Sequence, residues 1–258
     1  MVYPQLGNGS LAQYPIRKLQ VQRTVVNTAP DGSALRLADP NGAMTRWVLS
    51  YGGLTDSERT AIESFFEAAE GSLNGFTFVD PTANLLAWSD QLTNAVWQAD
   101  PFMRLTGGVQ DPAGGTQAWT LSNSGAAAQS VCQTLQAPAG YLYCLSAYLR
   151  ADPGATVTLM AGNQQAERPV TPAWTRATFT TTGAGANAIP FGLQLPAGAT
   201  VSVYGMQVEA QAGASEYKPS VSGGIYAKAR LASDELVVTT TGPGQHACTV
   251  SIINVNHL

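Results

Sequence analysis

Residues 45–81, TRWVLSYGGLTDSERTAIESFFEAAEGSLNGFTFVDP, place a strand, a helix marked at both ends and a second strand in one uninterrupted run. Little freedom remains in how that part of the chain folds. Trp47, Leu49 and Tyr51 alternate with Val48 and Ser50 at the two-residue period of a β-strand, and Gly52-Gly53 ends the run. Thr55 with Glu58 three residues later is a capping box, and Leu54 precedes the cap. Ile62, Phe65, Phe66 and Ala69 fall on one face of a helix over about 55–70, which Gly71 stops. Phe76 and Phe78 resume the alternation up to Asp80-Pro81, so the apolar stripe has a sheet to be buried against.

The 258 residues suffice for two ordinary domains, and the character of the chain changes after Pro81. From Asn84 onward Trp, Asn, Gly and turn residues dominate. The runs SVCQTL, YLYCLSAYLRA, TVTLMAG and RPVTPAWTRATFTTT, punctuated by APAG and DPGA, read as hairpins, with IPFGLQL and TVSVYGMQVEA as a last strand pair. A turn centred on Pro138 then sets Cys132 opposite Cys144 on one face. The closing segment, with strands IYAKARL, ELVVTTT and HACTVSIINV, is too short to stand alone and supplies what the first domain needs to complete its sheet. The expected fold class is mainly β: a split β-sandwich or barrel over 1–83 and 221–258 carrying one helix, with a β-sandwich over 84–220 inserted at its surface.

Charged residues make up 12% of the chain, against roughly a quarter in typical globular proteins. A surface so poor in charge is suited to partners. The formal net charge of −4 is spread without a basic run, which argues against a protein that holds nucleic acid by its phosphates. No apolar run is long enough to span a bilayer, and the N-terminus lacks the basic-then-apolar order of a secretory signal, so the expectation is synthesis in the cytosol without membrane insertion. Cys132, Cys144 and Cys248 are too few for a disulfide scaffold, lack the close pairing of a zinc site, and are expected as free thiols.

The acids of the 84–220 segment are Asp90, Asp100, Asp111, Asp152, Glu167, Glu209 and Glu216, and it has no histidine. Asp111 in DPAGGT and Asp152 in DPGA sit where Asp bonds its own turn. Glu209 reads as structural. His246 and His257 lack metal-ligand spacing and are expected at the solvent or at an interface. No catalytic residue, metal ligand or cofactor is assigned. Glycan binding, by contrast, needs a flat aromatic face flanked by amides and carboxylates. Trp88 and Trp174 are expected in the core, leaving Trp97, with Asn94 and Gln98 close by, as the candidate glycan contact.

MVYPQLGNG, LQVQRTVVNTAPDGSALRLADP, the W-x-L-x-Y strand, LTDSE, FFEAAEG and F-x-F-x-D-P, in that order, resemble the N-terminal region of distal tail and minor tail proteins of long-tailed bacteriophages. N-L-L-x-W-S-D-Q-L, D-P-A-G-G-T-Q-A-W, W-T-R-A-T-F and V-Y-G-M-Q-V-E-A-Q-A-G-A-S-E-Y-K-P-S look like the jelly-roll modules, similar to carbohydrate-binding modules, of phage tail and receptor-binding proteins. Together they resemble an evolved distal tail protein carrying an inserted module. The resemblance implies a virion protein made in the host bacterial cytoplasm and placed at the distal end of the tail. It implies a closed ring, by analogy a hexamer, that joins the tail tube protein to a tip or baseplate hub. It also implies an outward jelly roll able to touch host-surface polysaccharide, without catalysis. The alternatives are a soluble glycan-binding lectin and a polysaccharide depolymerase, the latter disfavoured by the lack of histidines in the 84–220 segment and of carboxylate pairs.

Overall fold

The computed structural model describes residues 1–183 and 187–255, and within them the chain is mainly β, with sixteen strands and one helix. It divides into two compact units. The first comprises Met1–Gly7, Leu11–Phe78 and the chain from Tyr226 onward; the second comprises Asn8–Ser10 and Val79–Ile225.

The first unit opens with β1 (Ile16–Thr28), β2 (Ala34–Leu54), α1 (Asp56–Ala69) and β3 (Phe76–Val79). Trp47, Leu49 and Tyr51 are buried on one face of β2, as the alternation requires. The capping box forms in full: the Thr55 hydroxyl accepts from the Glu58 N–H at 3.3 Å, and the Glu58 carboxylate accepts from the Thr55 N–H at 3.0 Å. Glu58 also accepts from the Gly7 N–H at 2.9 Å. The helix ends on Glu70, whose backbone is left-handed (φ 50°) and not on Gly71, which follows at φ 62°. Ile62, Phe65 and Ala69 are buried, whereas Phe66, at the margin of the stripe, is half-buried. Phe65 meets Phe76 edge-on at 4.8 Å and Tyr3 at 5.1 Å, so the extreme N-terminus contributes a core ring.

The second unit is a jelly-roll sandwich. Its strands are β4 (Gln98–Ala99), β5 (Met103–Val109), β6 (Ala118–Asn123), β7 (Gln129–Leu135), β8 (Leu142–Arg150), β9 (Ala155–Ala161), β10 (Gln164–Val170), β11 (Thr175–Thr182), β12 (Ile189–Leu195) and β13 (Thr200–Glu209). They form two five-stranded sheets, ordered β10-β9-β12-β7-β4 and β11-β8-β13-β6-β5. Val131, Leu159 and Leu193 from the first sheet and Leu121, Leu145, Leu149 and Val203 from the second are buried.

This layout corrects the hairpin reading. Cys132 on β7 and Cys144 on β8 lie in different sheets and are not cross-strand partners, and Cys132, Cys144 and Cys248 are all free. The segments IPFGLQL and TVSVYGMQVEA likewise belong to opposite sheets. The cause is visible in β8, where Tyr143 to Ala147 are all buried, so no alternation declares which side is inside. A Pro-containing turn can reverse a chain within one sheet or carry it to the other.

The ends of the unit are bonded together. Leu85 N–H donates to Val208 O at 2.9 Å, Ser89 N–H to Ser220 O at 3.0 Å and Asp80 N–H to Gly224 O at 2.8 Å. Asn84 is buried between Met206, Val208 and Lys218, and the Glu209 carboxylate accepts from the Ser215 N–H at 2.9 Å, fixing the returning tail.

The chain then adds β14 (Ile225–Leu231), β15 (Val238–Gly242) and β16 (Gln245–Val255) to the first unit, whose sheet runs β1-β2-β16-β14-β3 with β15 also paired to β16. His246 is buried, contrary to the solvent or interface placement expected for it. Its Nε2 lies 2.8 Å from Asp56 Oδ1 and its Nδ1 3.1 Å from Thr240 Oγ1, tying the first turn of α1 to β15 and β16. His257 lies outside the described residues.

β1 and β2 run on past the rest of this sheet. They pair from Ile16↔Leu49 to Thr28↔Ala34, but β16 accompanies β2 only from Leu54 to Met44. Residues 23–28 and 34–39 are therefore a two-stranded ribbon. Every residue of β1 after Ile16 is exposed, Val25 included, as are Leu35 and Leu37 of β2, and Arg23 and Asp39 pair across the ribbon at 3.0 Å.

Candidate binding cleft

The outward face of the β11-β8-β13-β6-β5 sheet is built by alternation along β8 and β13. On β8, Tyr143, Leu145, Ala147 and Leu149 point into the sandwich, which sends Tyr148 and Arg150 outward. On β13, Val201 and Val203 point inward and Ser202 and Tyr204 outward. Tyr148 and Tyr204 are register partners, with ring centroids 6.0 Å apart.

Between Tyr204 and Gln207 the register slips, and Gly205 takes a left-handed φ of 65°. A Cβ at Gly205 would lie 3.0 Å from the ring of Tyr217, so glycine lets that ring settle against the strand, 5.3 Å from Tyr204. After the slip Gln207 and Glu209 face the same way as Tyr204, but the tail through Ser215 and Lys218 covers them. The tail thus closes one end of the face and leaves the tyrosines open.

Pro112, Ala113, Tyr148, Tyr204, Glu216 and Tyr217 line a cleft of about 410 Å³ on this face. A second recess of about 320 Å³, lined by Thr120, Arg150, Asp152, Pro172, Thr200 and Ser202, lies one register step along the same strands. Both volumes fall in the range of small-ligand sites. The loop bearing Pro112 is held by Asp111, whose carboxylate accepts from the N–H groups of Ala113 (2.8 Å), Gly115 (3.0 Å) and Gln117 (3.1 Å). The Gln117 bond, with the others behind it, holds Asp111 below the usual carboxylate range, so it is spent on its own turn. Tyr217 donates to Asp90, and burial pushes its hydroxyl pKa up, keeping it a neutral donor. Burial, with Asp111 and Asp90 adding to it, also raises Tyr204.

Two arginines border the tyrosines. Arg176, opposite Tyr148 in the ladder, lies over that ring at 5.3 Å and donates to Ser146 Oγ at 3.0 Å. Arg150 lies over Trp174 at 4.9 Å. Trp174 was expected in the core, yet it is half-exposed beside Arg150.

The candidate contact Trp97 is not on this face. It is 6% exposed, and its indole N–H donates to Trp88 O at 3.0 Å, so the ring packs and offers no platform to a sugar. Asn94 is half-buried and accepts from the Val96 N–H at 3.2 Å; Gln98 is exposed on β4, at an edge of the opposite sheet. The structure does not bring these three to the tyrosine cleft. The signal for the residues that do form it was parity: Tyr143 and Tyr148 are an odd number apart on one strand, so only one of them can face inward. Among the described residues no group of three His, Cys, Asp or Glu gathers to hold a metal.

No protein-family model matches the sequence, and no curated protein matches it. Solved structures similar to it include the CBM22-1 xylan-binding domain of Paenibacillus barcinonensis Xyn10C, at TM-score 0.43 and 15% identity over 53% of this chain and 97% of that one. TmCBM61 in complex with β-1,4-galactotriose gives 0.37 and 14% over 48% and 97%. The enzymatically active domain of bacteriophage CBA120 tailspike protein 4 gives 0.39 and 14%, over 50% of this chain and 22% of that one.

Proposed function

We propose that the jelly-roll unit binds a polysaccharide along the outward face of the β11-β8-β13-β6-β5 sheet. The observation that carries this is the adjacent pair Tyr148 and Tyr204, half-exposed in an open cleft and flanked by Tyr217 and Arg176. Aromatic faces stack on the apolar faces of sugar rings, while Thr120, Ser202 and Glu216 offer hydroxyls and a carboxylate to sugar hydroxyls. Binding alone is required, and no catalytic step. The test is affinity electrophoresis through gels containing plant and bacterial polysaccharides. At least one should retard the protein, and the doubly substituted Tyr148→Ala/Tyr204→Ala protein should run free with an unchanged circular dichroism spectrum. Retardation by none, or unaltered retardation of the variant, overturns the reading.

A second reading assigns the first unit a structural part in a phage or phage-like tail, as a ring, by analogy a hexamer, joining the tail tube to the tip or baseplate hub. What favours it is the β1–β2 ribbon. A two-stranded ribbon alone in water is marginally stable, and this one presents Val25, Leu35 and Leu37 on one face with free strand edges. Sheet completion by a second copy would cover both. Rings in electron micrographs of the purified protein, lost when residues 23–39 are replaced by a short turn, support it; a monomer at all concentrations counts against it.

A further inference from the structure

The cleft is chemically asymmetric. Near Tyr217 three acids are engaged, Asp90 accepting from Tyr217, Asp111 from three backbone N–H groups and Glu209 from Ser215 and Lys218, while Glu216 lines the cleft exposed. Arg150 at the other end, and Arg176 over Tyr148, make no ion pair among the described residues. Asp152 lies at the rim of the Arg150 recess without pairing to it. Both guanidinium groups are laid on aromatic rings, which fixes their planes; Arg176 spends one N–H on Ser146 Oγ and its Nε is buried, whereas Arg150 keeps a donor edge free for bidentate contact with a carboxylate. Arg176 faces Tyr148 across the ladder and Arg150 lies two residues along β8, so the two backbones are diagonal neighbours about 7–8 Å apart.

Resting on the glycan reading above, we propose that the face selects a polysaccharide whose repeat carries a carboxylate, as a uronic acid does. A neutral sugar stacks at Tyr148 and Tyr204, and the carboxylate of its neighbour reaches Arg176 and Arg150. An uncharged chain would leave Arg150 without a partner after losing water to the ligand.

The decisive comparison uses unsubstituted protein and matched ligands: polygalacturonate, alginate and hyaluronan, each beside its carboxyl-reduced neutral form, by isothermal titration at 0.15 M salt. At least one acidic polymer should bind tenfold or more tighter than its reduced form, and Arg150→Gln should remove most of that difference while leaving the weaker neutral binding. Equal binding of acidic and reduced forms, or preference for the reduced form, overturns the carboxylate inference but leaves glycan binding standing. Dextran sulfate bound as tightly as the best uronate also overturns it, because charge density alone would then suffice. Failure of every acidic and neutral polymer to bind overturns both readings.

Discussion

The Asn84 carboxamide accepts from the Val208 N–H at 3.1 Å across 124 residues of sequence, and this one side chain closes the jelly roll on itself. Its Oδ1 also accepts from the Leu86 N–H at 3.1 Å, while its Nδ2 donates to Met206 O at 2.9 Å and Lys218 O at 3.2 Å. All four bonding positions of a buried amide are used. Asn84→Leu would strand two backbone N–H groups and two carbonyls, and should cost about 3 kcal/mol or more in urea unfolding of the full chain. A loss below about 1 kcal/mol would show that water replaces the amide.

The chain enters and leaves the jelly roll at neighbouring points, with Asp80 N–H bonded to Gly224 O at 2.8 Å. Joining residue 80 to residue 224 through a short Gly/Ser linker should therefore leave a folded first unit, with native-like β circular dichroism and a cooperative melt. An unfolded product, where residues 1–81 alone fold, would refute the split arrangement.

Phe65 sits between Tyr3 and Phe76 in the core of the first unit. Phe65→Ala should cost about 3–5 kcal/mol by chemical denaturation, as large-to-small changes in aromatic cores do. Phe66→Ala, at a half-buried position, should cost distinctly less, and equal costs would place Phe66 in the core as well.

Burial pushes the Cys248 thiol from 9.0 up to about 11. The folded state holds this proton more tightly than the unfolded one, so the associated stability is complete below pH 9 and is lost as pH rises through about 11. Cys248→Ala should flatten the decline in melting temperature over that window. In the native protein at pH 8 the thiolate fraction should be about a hundredfold below that of an unperturbed thiol, so alkylation should await denaturation. Mild oxidation should leave Cys132 and Cys144 unlinked by mass spectrometry, since each alternates with an inward-facing neighbour, Val131 or Leu145, and so faces outward from a different sheet.

The capped helix and its flanking strands were legible because their determinants are local: Thr55, Glu58 and Gly71 act within a turn, and the alternation at Trp47 to Tyr51 needs only its own strand. The jelly roll gave up its strands but not their pairing. A run buried on both faces, such as Tyr143 to Ala147, has no period to read, and Pro138 marks a turn without stating which sheet follows. Trp97 and Trp174 changed places for a related reason. Both sit in segments rich in turn residues, and only the assembled sheets determine that Trp97 packs beneath Trp88 O while Trp174 lies beside Arg150. The partnership of His246 with Asp56 spans 190 residues and leaves no local trace.

The position of the jelly roll's two ends also governs how it carries load. A sandwich tethered at opposite ends is stretched along its length when pulled, so force falls directly on its ladders. Here the segments around Asp80 and Gly224 leave side by side, and Trp88 and Ser89 run bonded along Val221 and Ser220. Tension applied to the sandwich draws both tethers in the same direction. The bonds between them are then not sheared against one another.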